Sequence, residues 1–129
     1  MYPMSKTLRE SDIEGVAEYV AAMEVQSLDF RVKGNPAKGK QVFATCTACH
    51  GVNALGNEAL QAPPLVSQSG WYLKDQIIKY RAGIRGGDPA KDPLAYGMHT
   101  IAKTLQNDDD IDHVVSYIWS LQTGEKKKS

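Results

Sequence analysis

Two cysteines, Cys46 and Cys49, stand two residues apart and are followed at once by His50, in the string Phe43-Ala44-Thr45-Cys46-Thr47-Ala48-Cys49-His50-Gly51; the chain has no other cysteine. The spacing C-x-x-C-H is that of a c-type haem attachment site. Two thiols at this separation can add across the two vinyl groups of one haem, while the adjacent imidazole reaches the iron from the same side. Two other chemistries use paired cysteines. A thioredoxin-like redox pair belongs at the end of a strand in a βαβ pattern, which this sequence does not show, and a structural zinc site needs four ligands that the remaining histidines are poorly placed to complete. One covalently attached haem is the expectation.

Such a haem either has a sixth ligand or keeps an open position. The downstream choices are Met98, His99 and His113. A thioether opposite histidine raises the reduction potential and closes the iron to outside ligands, which suits pure electron transfer. Met98 follows Gly97, where the backbone can approach a flat cofactor without a side chain in the way, and a loop is expected to carry it there. The competing role for Met98 is filling a core gap. His113 reads as a surface or packing residue of the last helix, and His99 as a neighbour of the Met98 loop.

The elements that must position these groups read as helices. Ser11 to Glu14 has the form of a capping box opening a helix to about residue 26, with a stripe of Ile13, Val16, Ala17, Val20 and the Met23-Glu24 pair. A linker over 27–36 leads to a helix over 37–46 with Val42 and Phe43 inward. A loop covers 52–68, a third helix 71–82, and a second Gly- and Pro-bearing loop 81–94. Asn107 or Asp108 caps a final helix to about residue 122, with Asp108-Asp109-Asp110 at its positive dipole end. No stretch alternates as a strand.

Composition narrows the function. Of 129 residues, 42% are hydrophobic and 23% charged, which suits a globular chain. Fifteen basic and fifteen acidic residues leave no overall field for nucleic acid, and no apolar run is long enough for a membrane span. Charge is uneven, however: residues 1–30 hold two basic and six acidic groups, a net of −4, and residues 31–93 hold nine and four, a net of +5. The middle segment is therefore a candidate docking surface, with Lys38, Lys40, Lys74, Lys79 and Lys91 as its rim, whereas Lys126-Lys127-Lys128 reads as a hydrated tail. A repeat is also visible. Met1 to Leu8, then Asp12-Ile13 and Tyr19-Val20, parallels Met98 to Leu105, then Asp110-Ile111 and Tyr117-Ile118, with Lys-Thr-Leu shared and one gap.

Over about residues 34–124 the sequence resembles the class I c-type cytochromes of bacteria. The resemblance is carried by Gly39-Lys40-Gln41-Val42-Phe43, the C-x-x-C-H motif, Ala62-Pro63-Pro64-Leu65, and Gly97-Met98 before the last helix. Around Trp71-Tyr72-Leu73 and Tyr80-Arg81-Ala82-Gly83 it is similar to the subgroup that includes tandem dihaem proteins. The resemblance implies an all-α fold wrapped around one haem, with first and last helices crossing where Gly39 and Phe43 meet Val114 and Tyr117. It implies that the Pro63 carbonyl accepts the Nδ1 hydrogen of His50 and that His50 and Met98 are the iron ligands. Trp71, Tyr72, Arg81 and Arg85 are the candidates for haem propionate contacts. The organisation expected is an N-terminal helical extension over 1–33, remnant-like in its likeness to the end of a preceding unit, a haem domain over 34–124, and a basic tail over 125–129.

The expected activity is single-electron transfer between redox protein partners in the periplasm rather than enzymatic turnover. The alternatives are an electron-entry domain of a larger oxidase or reductase, and a ligand sensor or peroxidase-like haem enzyme with Met98 displaced. The helix at 11–26 is expected to pack on the haem domain or to pair with another chain, as in a dimer.

Overall fold

The computed structural model describes residues 2–23 and 33–125, with the backbone alone for Tyr2 and for 123–125. Met1, the first part (27–32) of the linker expected over 27–36, the expected end of the first long helix at 24–26, and the lysine tail lie outside the described residues. The regular elements among the described residues are all helical, with no strand and only one isolated antiparallel bridge between Asn57 and Ala62. In chain order they form α1 (Tyr2–Ser5), α2 (Glu10–Ala22), α3 (Pro36–Phe43), α4 (Thr47–His50), a short 3-10 turn (Glu58–Leu60), α5 (Gly70–Arg81), α6 (Pro93–Ala102) and α7 (Asp108–Glu125). The all-α class is as expected.

Local chemistry explains the boundaries. Asn35 is the N-cap of α3, its Oδ1 accepting from the amides of Ala37 at 2.9 Å and Lys38 at 3.2 Å, and Pro36 takes the first helical position, where a missing N–H costs nothing. Asn107 starts α7 by accepting the Asp110 amide at 2.8 Å, and three aspartates occupy the first turn, against the positive end of the helix dipole. Ser11 is not the cap of α2. The cap lies two residues earlier, at Arg9, because the Asp12 carboxylate reaches back to the Arg9 amide at 3.0 Å and to its guanidinium at 2.9 Å.

The largest correction is α6. The Gly/Pro-bearing loop ends at Asp92, and Met98 rides on a helix rather than on a loop. Asp92 caps α6 by accepting from the Ala95 amide at 2.9 Å, with Pro93 at the first helical position. The pair Asp-Pro was therefore a start signal where proline alone reads as a breaker.

The core is built where α3 crosses α7. Phe43, Ile111, Val114, Val115 and Ile118 are all but fully buried, and Leu73 and Ile77 of α5 complete the cluster with Leu105 and Ala54. The crossing is close because residue 39 is glycine: a Cβ there would collide with the His113 carbonyl and stand 2.8 Å from the Cβ of Tyr117. The rings of Phe43 and Tyr117 then meet at 5.3 Å, tilted 55°. Around this contact the Asn35 amide donates to His113 Nδ1 at 3.0 Å. α5 is tied to α7 by Lys74–Asp112 at 2.5 Å and to the start of α7 by Arg81–Asp108 at 2.6 Å.

α2 stands apart from this core. None of its residues is buried, and Ile13, Val16, Tyr19 and Val20 are each more than half exposed. The expectation that its stripe packs on the haem domain is not met.

Candidate haem site

The attachment motif occupies a single helical turn. Cys46 is the residue before α4, itself in helical conformation, and the His50 amide donates to its carbonyl at 2.9 Å. Residues i, i+3 and i+4 share one helix face, so Cys46, Cys49 and His50 project together. Both cysteines are free thiols, Cys46 half-buried and Cys49 exposed. Burial pushes the Cys46 thiol above its ordinary pKa, a neighbouring Thr45 hydrogen bond opposing the shift.

The loop after the motif fixes the imidazole. Gly51, at φ +77°, turns the chain out of α4. The Gly56 amide donates back to the His50 carbonyl at 2.9 Å and the Leu65 amide to the Ala54 carbonyl at 2.8 Å. Ala54 is fully buried at φ +58°, an uncommon conformation for a residue with a Cβ, and one the sequence reading did not single out. The folded-back loop brings the Pro63 carbonyl to 2.9 Å from His50 Nδ1. A carbonyl can only accept, so Nδ1 carries the hydrogen and Nε2 keeps its lone pair for a metal.

The other two histidines are committed differently. His113 Nδ1 accepts a backbone amide, which places its hydrogen on Nε2 and makes it part of the α3–α7 joint. His99 Nδ1 donates to the Tyr80 carbonyl at 2.5 Å and so ties α6 to α5. That bond anchors the helix turn that carries Met98, which is half-buried. A Cβ at Gly97 would meet no protein atom within 4 Å, so no neighbouring segment of the chain requires glycine there.

The remaining candidates are spread around the same elements. Trp71 and Tyr72 open α5, exposed and in edge-to-face contact at 5.9 Å. Arg81 is engaged within the fold, donating to the Leu105 carbonyl at 3.2 Å and to Asp108 at 2.6 Å. Arg85 donates to Gln76 at 2.7 Å and lies over the Tyr80 ring at 4.8 Å, with an exposed side chain. Of the five rim lysines, Lys74, Lys79 and Lys91 are each paired with an aspartate, whereas Lys38 and Lys40 on α3 are exposed without an ion pair among the described residues.

These residues fit a covalently held haem. The donor set comprises two free thiols on one face and an imidazole whose iron-binding nitrogen is oriented from behind. Large apolar side chains also stay exposed on the flanking segments, among them Val52, Leu55, Leu60, Ile84 and Leu94, a surface suited to a broad apolar ring. Fold and site together define an all-helical haem c protein.

Comparison with known proteins agrees. Residues 36–122 match the family described as cytochrome c. Cytochrome c-554(548) of Halomonas halodenitrificans is 35% identical over 91 residues, covering 69% of this chain and 99% of that protein. The thiosulfate dehydrogenase electron acceptor of Stutzerimonas stutzeri is 30% identical over 140 residues, covering 98% of this chain and 60% of that protein. The FixP subunit of a cbb3-type cytochrome c oxidase from a Bradyrhizobium species is 36% identical over 85 residues, covering 60% of this chain and 29% of that subunit. The chain belongs to the cytochrome c family, and its work is electron transfer. No helix among the described residues is long and apolar enough to cross a membrane.

Proposed function

We propose that residues 34–124 form a unit carrying one haem c, bound through Cys46 and Cys49, with His50 and Met98 as axial ligands, that passes single electrons between redox proteins outside the cytoplasm. When bound, the haem supplies a one-electron ferric/ferrous couple. The observation that carries this reading is the single turn on which Cys46, Cys49 and His50 project together, with His50 Nε2 left as the free nitrogen.

The chain's own residues do the rest. The Pro63 carbonyl holds the His50 ring and strengthens its donor nitrogen. The Asp92 cap and the His99–Tyr80 bond hold α6 at both ends of the turn bearing Met98. Trp71, Tyr72 and Arg85 are the polar-ended side chains proposed for the propionates, and Arg81 serves the α5–α7 joint. Lys38 and Lys40 provide the charge for docking an acidic partner, an attraction that weakens with salt. The oxidase-subunit relative favours a second assembly for the same chemistry, in which this unit is the electron-entry domain of a larger oxidoreductase.

The visible spectrum tests the ligand set. The ferric protein is expected to show a sulfur-to-iron charge-transfer band, and the ferrous protein to be indifferent to carbon monoxide. Met98→Ala should abolish the band and admit carbon monoxide. Rapid carbon monoxide binding by the parent protein at neutral pH would instead place an open iron in the site and remove Met98 from it.

A further inference from the structure

The turn after α1 and the turn after α6 are built alike. Thr7 Oγ1 donates to the Met4 carbonyl at 2.8 Å, and Thr104 Oγ1 donates to the Ile101 carbonyl at 2.7 Å. The Leu8 amide donates to the Ser5 carbonyl at 3.3 Å, and the Leu105 amide to the Ala102 carbonyl at 3.1 Å. Each turn leads into a long helix, α2 or α7. The repeat seen in the sequence thus extends to two corresponding hydrogen bonds in each turn, although the caps of α2 and α7 differ.

Alignment of the two helices shows what α2 lacks. Ile13, Val16, Ala17, Tyr19 and Val20 stand where α7 has Ile111, Val114, Val115, Tyr117 and Ile118. On α7, Ile111, Val114 and Ile118 are at most 2% exposed; on α2, Ile13, Val16 and Val20 are 51–58% exposed. The partner of such a face is visible inside this chain. It is α3, a helix with a glycine at the crossing and an aromatic one turn on. This chain's α3 is already covered by α7, so the occupant of α2 is a different helix of the α3 kind.

We infer that residues 2–23 are the closing turn and helix of a second cytochrome c unit lying ahead of Gly34 in a longer polypeptide, and that the apolar face of α2 docks on that unit's Gly-x-x-x-aromatic first helix as α7 docks on α3. The inference rests on the reading of residues 34–124 as a haem unit. The Stutzerimonas electron acceptor is consistent with it, since the similarity runs through nearly all of this chain while that protein continues beyond it.

The test uses the native polypeptide purified from cells carrying the natural gene. Its intact mass and haem iron per chain are measured, and its thermal unfolding is compared with that of an Ile13→Asp, Val16→Asp double variant. Two haems per polypeptide are expected, with a second haem-bearing peptide ahead of residue 1. In the double variant, half of the haem absorbance should be lost at a lower temperature than in the parent. One haem per polypeptide overturns the inference, including the case of a dimer dispersed by the double variant, in which α2 serves a second copy. Two haems with unchanged melting overturn the docking. A single-haem result leaves the Met98 spectrum intact, so the function proposed above fails or stands separately.

Discussion

At the scale of single residues, the site depends on which atom of each side chain is already used. Pro63 fixes the hydrogen of His50 on Nδ1, Tyr80 does the same for His99, and Asn35 fixes the opposite arrangement in His113. Before haem attachment the two thiols differ in the same sense. Cys46 is half-buried with its pKa raised, while Cys49 is exposed, so iodoacetamide at mildly alkaline pH is expected to label Cys49 first in the haem-free folded chain, as read by peptide mass spectrometry; equal labelling would contradict the burial of Cys46. Asp108 gives a pH effect of known sign. The Arg81 hydrogen bond, with its charge, holds the Asp108 carboxyl below its ordinary pKa of 3.8. Its stabilising contribution is therefore complete above that value and disappears as pH falls through the lowered one. Asp108→Asn should flatten the acid limb of stability measured by urea unfolding between neutral pH and strongly acidic pH, with Arg81 left bonded to the Leu105 carbonyl.

Among the elements, the α3–α7 crossing and α6 bear most directly on the site. Gly39→Ala forces a methyl group into the His113 carbonyl, and separation of the helices or distortion of α7 should lower stability by about 1–3 kcal/mol in denaturant unfolding. Asp92→Ala removes the α6 cap, which costs about 1 kcal/mol; with Met98 as the proposed ligand, it should weaken the sulfur-to-iron charge-transfer band at temperatures where the helical circular dichroism is still that of the parent. These elements also show how far the sequence was legible. The haem motif, α3, α5 and α7 announce themselves through spacing, apolar periodicity and caps. The Gly39–Tyr117 crossing was implied by family resemblance, not by any local pattern, since it joins segments far apart in the chain. Helix α6 was missed because its Gly97 and the prolines before it carry loop signals, and only Asp92-Pro93 marks its start. The use of His99 and Arg81 could not be read at all. Both bond to backbone carbonyls, whose positions exist only after folding.

For the whole molecule, the positive charge of residues 31–93 is only partly offset by the rest of the fold. Lys74 and Arg81 pair with Asp112 and Asp108 of α7, Lys79 and Lys91 pair with aspartates of the same segment, and Lys38 and Lys40 on α3 stay exposed without an ion pair among the described residues. Reduction by an acidic redox partner should accordingly slow as salt rises, and Lys38→Gln together with Lys40→Gln should remove most of that dependence in stopped-flow traces, whereas Lys79→Gln should leave it nearly unchanged. One feature of the fold bears on how the protein is made. The Asn35 amide meets His113, 78 residues further along, so the joint that shuts the unit is completed only by its last helix. During synthesis the C-x-x-C-H turn emerges well before that helix exists. The thioether bonds can therefore be made on an open chain by whatever catalyst attaches haem, and the final helix acts as the latch that seals a cofactor already in hand.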